Sequence, residues 1–312
     1  MLQATSKAFF HGLAQVPTLQ RLASKYGMAP GSGFARRFIA GETIDEAIAC
    51  VKDLPGKGLL LTLDYLGESV SSAAAASAAA ADYVQIINAI VKSGIERNIS
   101  LKLTQLGLDV DKATAVDNMR RILEPADAND FFVRIDMENS PYTDATLDIL
   151  DTLWRQGHRN VGTVIQSCLK RSPEDVRRLN VIQARVRLVK GAYKEPKSVA
   201  YQKKAEVDAA YVELMQVLLD EGNYPAIATH DPNIIDATRA YAKSKGYAND
   251  RFEFQMLYGI RRDLQASLVK EGYRVRVYVP FGKQWYPYFM RRLGERPANV
   301  AFVIKGILSD AG

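Results

Sequence analysis

The sequence predicts an α/β protein built as a (β/α)8 TIM-type barrel with an amino-terminal helical arm. Eight short apolar, β-branched runs recur along the 312 residues. They are apolar throughout rather than strictly alternating, as strands covered on both faces require. Helically patterned stretches separate them, and eight such alternations in about 250 residues suit a closed parallel barrel better than an open sheet. The expected division is an arm over residues 1–45 and a catalytic barrel over 46–312.

The first 41 residues hold no Asp or Glu but five Lys or Arg, namely Lys7, Arg21, Lys25, Arg36 and Arg37, with Phe9, Leu13 and Val16 at helical spacing. That composition suits a transit peptide or an amphipathic arm packed on the main domain, and the arm is the favoured reading. Thr43 and Glu46 form a T-x-x-E pattern, which predicts a reciprocal capping box opening a helix through about Lys52. The eight runs lie near Leu59–Tyr65, Ile99–Thr104, Phe131–Met137, Val161–Gln166, Arg185–Val189, Pro225–Thr229, Phe252–Leu257 and Arg274–Val279. Between them, Ser71–Asp82 continuing through Ile95 is alanine-rich and reads as an ordinary barrel helix, because alanine is the strongest helix former. Ser172-Pro-Glu-Asp reads as an N-cap, an N1 proline and two first-turn acids.

Composition narrows the function. Hydrophobic residues make up 47% and charged residues 24%, the balance of a globular chain with a sizeable core. The two cysteines, Cys50 and Cys168, form neither a disulfide framework nor a metal-binding C-x-x-C. Three histidines, His11, His158 and His230, assemble no metal cluster, so no metal is expected. No apolar run is read as reaching the roughly 18 residues that cross a bilayer. The formal charge of +6 suits an anionic ligand or lipid surface. It is too dispersed for nucleic acid, and no basic stripe interleaved with aromatics supports that partner.

In barrels of this class the active site stands at the C-terminal strand ends. The expected residues there are Lys102 at the end of run two, Asp136 with Glu138 and Asn139 at the end of run three, Gln166 at the end of run four and Lys190-Gly-Ala-Tyr193 at the end of run five. Thr229-His-Asp231 follows run six, run seven passes Gln255 and Leu257, and Tyr278 on run eight precedes a helix bearing Arg291 and Arg292. Singly, each is more often a solvated rim residue, and His230 alone is more often structural. As a set they describe a polar mouth. The planar fork of arginine matches a carboxylate, so the arginine pair beside Trp285, Tyr286, Tyr288 and Phe289 fits either a small anionic substrate or a basic solvated helix face. An ion pair between Lys102 and Asp136 is also open, with Asp136 acting as base or as orienter.

The segments Arg187-Leu-Val-Lys-Gly-Ala-Tyr193, Tyr278-Val-Pro-Phe-Gly282 and Tyr288-Phe-Met-Arg-Arg-Leu-Gly-Glu295 resemble the paired signature of proline dehydrogenases. Phe34-Ala-Arg-Arg-Phe-Ile-Ala-Gly-Glu42, Ile135-Asp-Met-Glu138, Ala228-Thr-His230 and Phe252-Glu-Phe-Gln-Met-Leu-Tyr-Gly259 add ordered matches, covering about residues 34 to 304. The resemblance implies a barrel that holds FAD, oxidises L-proline to Δ1-pyrroline-5-carboxylate and passes electrons to a membrane quinone. It is similar to the short, single-activity bacterial form, expected in the cytoplasm, with a peripheral seat on the inner membrane as the variant.

Carried over, the resemblance implies that Arg291, Arg292 and Lys102 bind the proline carboxylate while Tyr193, Leu257, Tyr278 and Tyr288 wall its ring. Arg187 lies beside the flavin ring and Asp136 is the active-site acid. Met137, Gln166, Lys190, Gly191, Ala192, Thr229, His230 and Glu295 contact FAD, and the small Gly191-Ala192 pair lets backbone approach the cofactor. Two rivals remain at this level: a Schiff-base barrel aldolase using Lys102 or Lys190, and a non-catalytic binder of an acidic metabolite.

Overall fold

A computed structural model of the protein describes Gly27, Met28 and residues 33–295, with side chains through residue 293. Most of the expected arm therefore lies outside the described residues. The eight strands are β1 (Leu59–Tyr65), β2 (Asn98–Leu101), β3 (Phe132–Ile135), β4 (Val161–Gln166), β5 (Val186–Val189), β6 (Ala226–Ala228), β7 (Glu253–Leu257) and β8 (Arg274–Phe281). They close into a barrel in sequence order, and the pairs from β2 to β8 are parallel. The helices are α1 (Ile44–Val51), α2 (Ala73–Ser93), α3 (Lys112–Asp127), α4 (Thr143–Arg155), α5 (Ser172–Val181), α6 (Lys204–Glu221), α7 (Pro232–Ser244), α8 (Arg262–Lys270) and α9 (Trp285–Glu295). The expected fold class is the observed one.

Where strands stop decides what the barrel mouth presents. The second run was expected to extend to Thr104, but β2 ends at Leu101 because the Leu103 carbonyl accepts from the amides of Leu106 and Leu108, each at 3.0 Å, in a tight turn. Lys102 is thus the first residue past the strand. Likewise β3 stops at Ile135, and Asp136 follows with its amide still donating to the Leu101 carbonyl at 2.8 Å.

Local chemistry differs from expectation at three places. Thr43 caps α1 by accepting from the Glu46 amide at 3.3 Å, but the Glu46 carboxylate accepts from the amide of Glu42 at 2.9 Å rather than from the cap residue itself. Ser172 is the first residue of α5 rather than its cap; its hydroxyl donates to the Gln166 carbonyl at 2.6 Å. Finally, α2 is long and apolar enough to cross a membrane by length and composition, contrary to the expectation that no run reaches that length. Alanines supply that apolarity. The helix is nonetheless built for the barrel: Ser72 caps it, Ala76, Ala80, Tyr83, Ile87 and Ile90 are buried, and the Tyr83 hydroxyl donates to Gln105 Oε1 at 3.0 Å.

The chain divides into two compact units. The larger comprises Asp53–Leu63 and Glu68–Tyr278 and contains β2 through β7 with their helices. Its core is formed by strand residues such as Ile99, Leu101, Val133, Ile135, Leu188, Ile227 and Phe254 and by the inner faces of the helices. The smaller comprises Met1–Lys52, Asp64–Gly67 and Val279–Gly312. Within it, the 34–42 segment packs along the last helix. Phe289 lies 5.3 Å from Phe34 and 6.1 Å from Phe38 by ring centroid, and Trp285 Nε1 donates to Glu42 Oε1 at 2.9 Å. Two motifs some 250 residues apart in the chain are thereby brought together.

Candidate active site

The barrel interior is polar where a strand, or a strand and the residue that follows it, carries polar residues two positions apart, because successive side chains alternate between faces. Arg134 and Asp136, Glu253 and Gln255, and Arg276 and Tyr278 are such pairs. At their centre lies Arg187 on β5, whose side chain is only 5% exposed. Its guanidinium reaches across the barrel: Nη1 donates to Asp136 Oδ1 at 2.6 Å, Nη2 to Ser100 Oγ at 3.0 Å, and Nε to Gln255 Oε1. Three of its five N–H groups are thus bound to β2, β7 and the residue that follows β3. The second Asp136 oxygen accepts from the Tyr278 hydroxyl at 2.6 Å, and the guanidinium carbon stands 5.1 Å from the Tyr278 ring centroid. Asp136 is 13% exposed, so the pair faces the mouth with its acid uppermost in accessibility. The structure therefore gives Asp136 the geometry of an orienter of Arg187.

Beside this centre, Glu138 accepts from the Thr104 amide at 3.2 Å and hydroxyl at 2.7 Å. Burial pushes its carboxyl above the usual range, while Thr104 and the charge of Lys102 pull the other way. Lys102 is buried at the end of β2, and Gln166 is buried with its Nε2 donating to the Glu138 carbonyl at 2.7 Å. Met137 is buried as well.

The ends of β5 and β6 carry the residues expected to meet a cofactor. Lys190 Nζ lies 2.7 Å from Asp231 Oδ2 and 2.6 Å from Asp208 Oδ1, and Lys204 joins the same two acids. Both aspartates are held below the usual carboxylate range: burial raises them, and the bonds and charges of the two lysines outweigh it. Thr229 is buried and its hydroxyl accepts from the Asp231 amide at 3.0 Å. His230 Nε2 accepts from the Leu257 amide at 3.0 Å, latching the end of β6 to β7. The structural role that a lone histidine suggests is thus present. Gly191 has φ +103°, Ala192 is exposed, Tyr193 is 37% exposed, and Leu257 is half-buried.

In the smaller unit, the Arg292 guanidinium stands 5.0 Å from the Tyr288 ring centroid, and both residues are buried. Arg291 on the same helix is half-buried. The Glu295 side chain lies outside the described residues. The geometry also engages residues for which sequence reasoning named no role, chiefly Gln255, Glu253, Ser100 and Arg276. Their signal was available: Glu253-Phe-Gln255 places two polar side chains on one face of an otherwise apolar strand.

This mouth suits a large, acceptor-rich, anionic ligand. A buried cation with N–H groups to spare lies under it, the Gln166 amide and Lys190 ammonium flank it, and the Gly191-Ala192 turn keeps bulk away from its rim. A flavin nucleotide, with ring acceptors and a pyrophosphate, fits that donor set. Among the described residues no group of three or more His, Cys, Asp or Glu is placed to hold a metal ion.

Comparisons with known proteins agree with the architecture. The proline dehydrogenase family model matches residues 47–305. Proline dehydrogenase 2 of Bacillus subtilis (strain 168) is 42% identical over 302 residues, 97% of this chain and 98% of its own. Proline dehydrogenase 1 of the same strain is 45% identical over 296 residues, 95% of this chain and 97% of its own. Proline dehydrogenase of Deinococcus radiodurans is 43% identical over 300 residues, 95% and 96% of the two chains. Among solved structures, proline utilization A from Bdellovibrio bacteriovorus, inactivated by N-propargylglycine, matches with a TM-score of 0.78 at 29% identity. That match covers 84% of this chain and 32% of the larger one, so this chain spans about a third of its length.

Proposed function

The chain belongs to the proline dehydrogenase family, and from that premise we propose that it oxidises L-proline to Δ1-pyrroline-5-carboxylate with FAD as cofactor and a membrane quinone as the final acceptor. The observation that carries the reading is the buried Arg187, held by Asp136 at 2.6 Å beneath the mouth of a barrel whose family match runs from residue 47 to 305.

Proline arrives with an ionised carboxylate and a largely protonated amine. Loss of hydride from the ring carbon next to nitrogen needs the nitrogen lone pair, so the amine proton leaves first. Two electrons and two protons depart in all, and the C–N bond becomes double. FAD, when bound, supplies the two-electron acceptor at its N5. The chain's residues supply binding and orientation. Lys102, and from the last helix Arg291 and Arg292, are the basic groups proposed for the carboxylate; Tyr193, Leu257, Tyr278 and Tyr288 are proposed for the ring. Arg187 places positive charge where negative charge accumulates during the reaction. Met137, Gln166, Lys190, Gly191, Ala192, Thr229, His230 and Glu295 are the residues proposed to hold the cofactor. The seat proposed for the enzyme is cytoplasmic, with peripheral membrane contact where it meets the quinone.

The deciding experiment is the visible absorption spectrum of the purified protein before and after anaerobic addition of L-proline. A flavin spectrum that bleaches is expected. A colourless protein, or a yellow one that proline leaves unchanged, overturns the reading and returns the aldolase and the passive binder to consideration.

A further inference from the structure

The contacts of Arg187 trace downward into the barrel. Gln255, 4% exposed on β7, accepts from Arg187 Nε through Oε1 and donates through Nε2 to Glu253 Oε1. Glu253 is 2% exposed and is clasped by Arg276, from Nε to Oε1 at 2.7 Å and from Nη2 to Oε2 at 2.9 Å. The Tyr224 hydroxyl adds a bond to Oε2 at 3.1 Å. Arg276 in turn donates through Nη1 to Glu96 Oε1 at 2.6 Å and to the Leu61 carbonyl at 2.8 Å. Burial pushes the Glu253 carboxyl up, but Arg276, Gln255 and nearby Arg134 overturn that and hold it below the usual range.

An ionised carboxylate can only accept hydrogen bonds. Gln255 must therefore turn its NH2 toward Glu253, which leaves its carbonyl, and only its carbonyl, facing Arg187. A flipped amide would set oxygen against carboxylate and N–H against guanidinium, two repulsions that the low dielectric of a buried site strengthens. Nε is the guanidinium nitrogen attached to the side-chain stem, so fixing it fixes the plane that aims Nη1 at Asp136 and Nη2 at Ser100. The acceptor is also neutral. A carboxylate in its place would add a second negative charge to the one Asp136 already sets against Arg187.

We propose that Gln255 is a positioning residue, oriented by the buried Glu253–Arg276 pair, that fixes the plane of Arg187 and preserves its positive field at the barrel mouth. The inference rests on the flavin reading above, since that field would act on the reduction of the bound cofactor.

The test uses the flavin-loaded enzyme and two variants, Gln255→Leu and Gln255→Glu. It reads the midpoint potential of the bound flavin, and it resolves anaerobic reduction by proline into a Kd and a limiting rate. For Gln255→Leu the limiting rate should fall at least tenfold while the proline Kd moves less than threefold. Reduction of the flavin should become at least tenfold less favourable, about 30 mV for a two-electron couple. Gln255→Glu covers the case in which the leucine variant does not fold. Two adjacent buried carboxyls share a proton, so below the new ionisation it should behave like the parent. Above it the potential should drop further, an inflection added to the ordinary proton-linked slope that flavin reduction gives the parent. A loaded variant with parental potential and rate overturns the proposal, as does a slower rate with unchanged potential, which a merely structural role would give. If the parent protein binds no flavin, the function reading fails separately. The positioning claim is then decided by a crystal structure of Gln255→Leu, in which retention of the Arg187–Asp136 bond refutes it and its loss supports it.

Discussion

Gly191 stands so close to Cys168 that a methyl group built on its α-carbon would lie 2.4 Å from the Cys168 sulfur and 3.0 Å from Gln166 Oε1. The two residues belong to neighbouring strand-to-helix loops, joined where the Cys168 amide donates to the Lys190 carbonyl at 3.0 Å. The glycine also sits at φ +103°, which side chains disfavour. Smallness at this position was expected from the cofactor's approach to the backbone. The fold itself supplies a second and sufficient reason, the packing of these two loops.

Replacing Gly191 by Ala or Val should therefore destabilise the protein even without any cofactor, by about 2–4 kcal/mol from backbone strain and overpacking combined. Urea unfolding of flavin-free protein measures it. Removing the opposing sulfur with Cys168→Ala should recover part of the loss in the Gly191→Ala background but not the strain of the dihedral. A Gly191→Ala protein as stable as the parent would show that the loops separate at negligible cost.

The same cysteine gives an alkaline signature. Burial, with the nearby Glu195 charge adding to it, pushes the Cys168 thiol up from 9.0 to about 11. The folded state therefore keeps the proton that the unfolded chain releases near pH 9. The stabilisation is complete below that pH and is lost as pH rises toward 11, by up to roughly 2 kcal/mol. Chemical denaturation at pH 8 and pH 11 should show a smaller decline for Cys168→Ala than for the parent. Equal declines would mean that the thiol ionises alike in both states.

The pairing of Arg187 with Asp136 predicts an asymmetry between two substitutions. Asp136→Ala leaves a buried guanidinium without its counter-charge and should cost about 3–5 kcal/mol. Tyr278→Phe deletes only a hydroxyl bonded to the same carboxylate and should cost about 0.5–1.5 kcal/mol. Thermal or denaturant unfolding ranks them. A Tyr278→Phe loss equal to that of Asp136→Ala would mean that the hydroxyl, and not the ion pair, organises the centre.

The barrel was legible because each strand is buried on both faces and announces itself as an apolar run; β1 and β4 match at both ends, and all eight expected strand starts fall within one residue of the observed ones. Strand ends were less legible. Nothing in Leu101-Lys-Leu-Thr104 marks the carbonyl of Leu103 as the anchor of a turn, since that depends on amides further along the chain. Asp136 and Arg187 were recognised singly, but their partnership was not: they are 51 residues apart and meet only because β5 aims its arginine across the barrel. Gln255 was noticed without a role for the same reason. Its meaning lies in the polarity of two contacts on opposite ends of one amide, and spacing along a strand shows which face it takes but not which way the amide points.

The final prediction concerns the carboxylate. Lys102, Arg291 and Arg292 are proposed to hold it, and Arg292 is buried with its guanidinium 5.0 Å from the Tyr288 ring centroid rather than spread on a solvated helix face. A charge-assisted contact is worth about 1.5–3 kcal/mol, so Arg291→Met or Arg292→Met should raise the KM for proline by about 10- to 150-fold, with flavin retained in at least one of the two. Deleting the charge from the substrate should have the same effect as deleting it from the enzyme. L-prolinamide keeps the ring and the oxidisable amine but lacks the negative charge, and should reduce the bound flavin very slowly. A ring carboxylate without an oxidisable amine should do the reverse, competing with proline while leaving the flavin yellow. In anaerobic stopped-flow mixing, fast bleaching by prolinamide at proline-like concentrations would show that charge does not position the ring, and the proposed roles of all three basic residues would fall together.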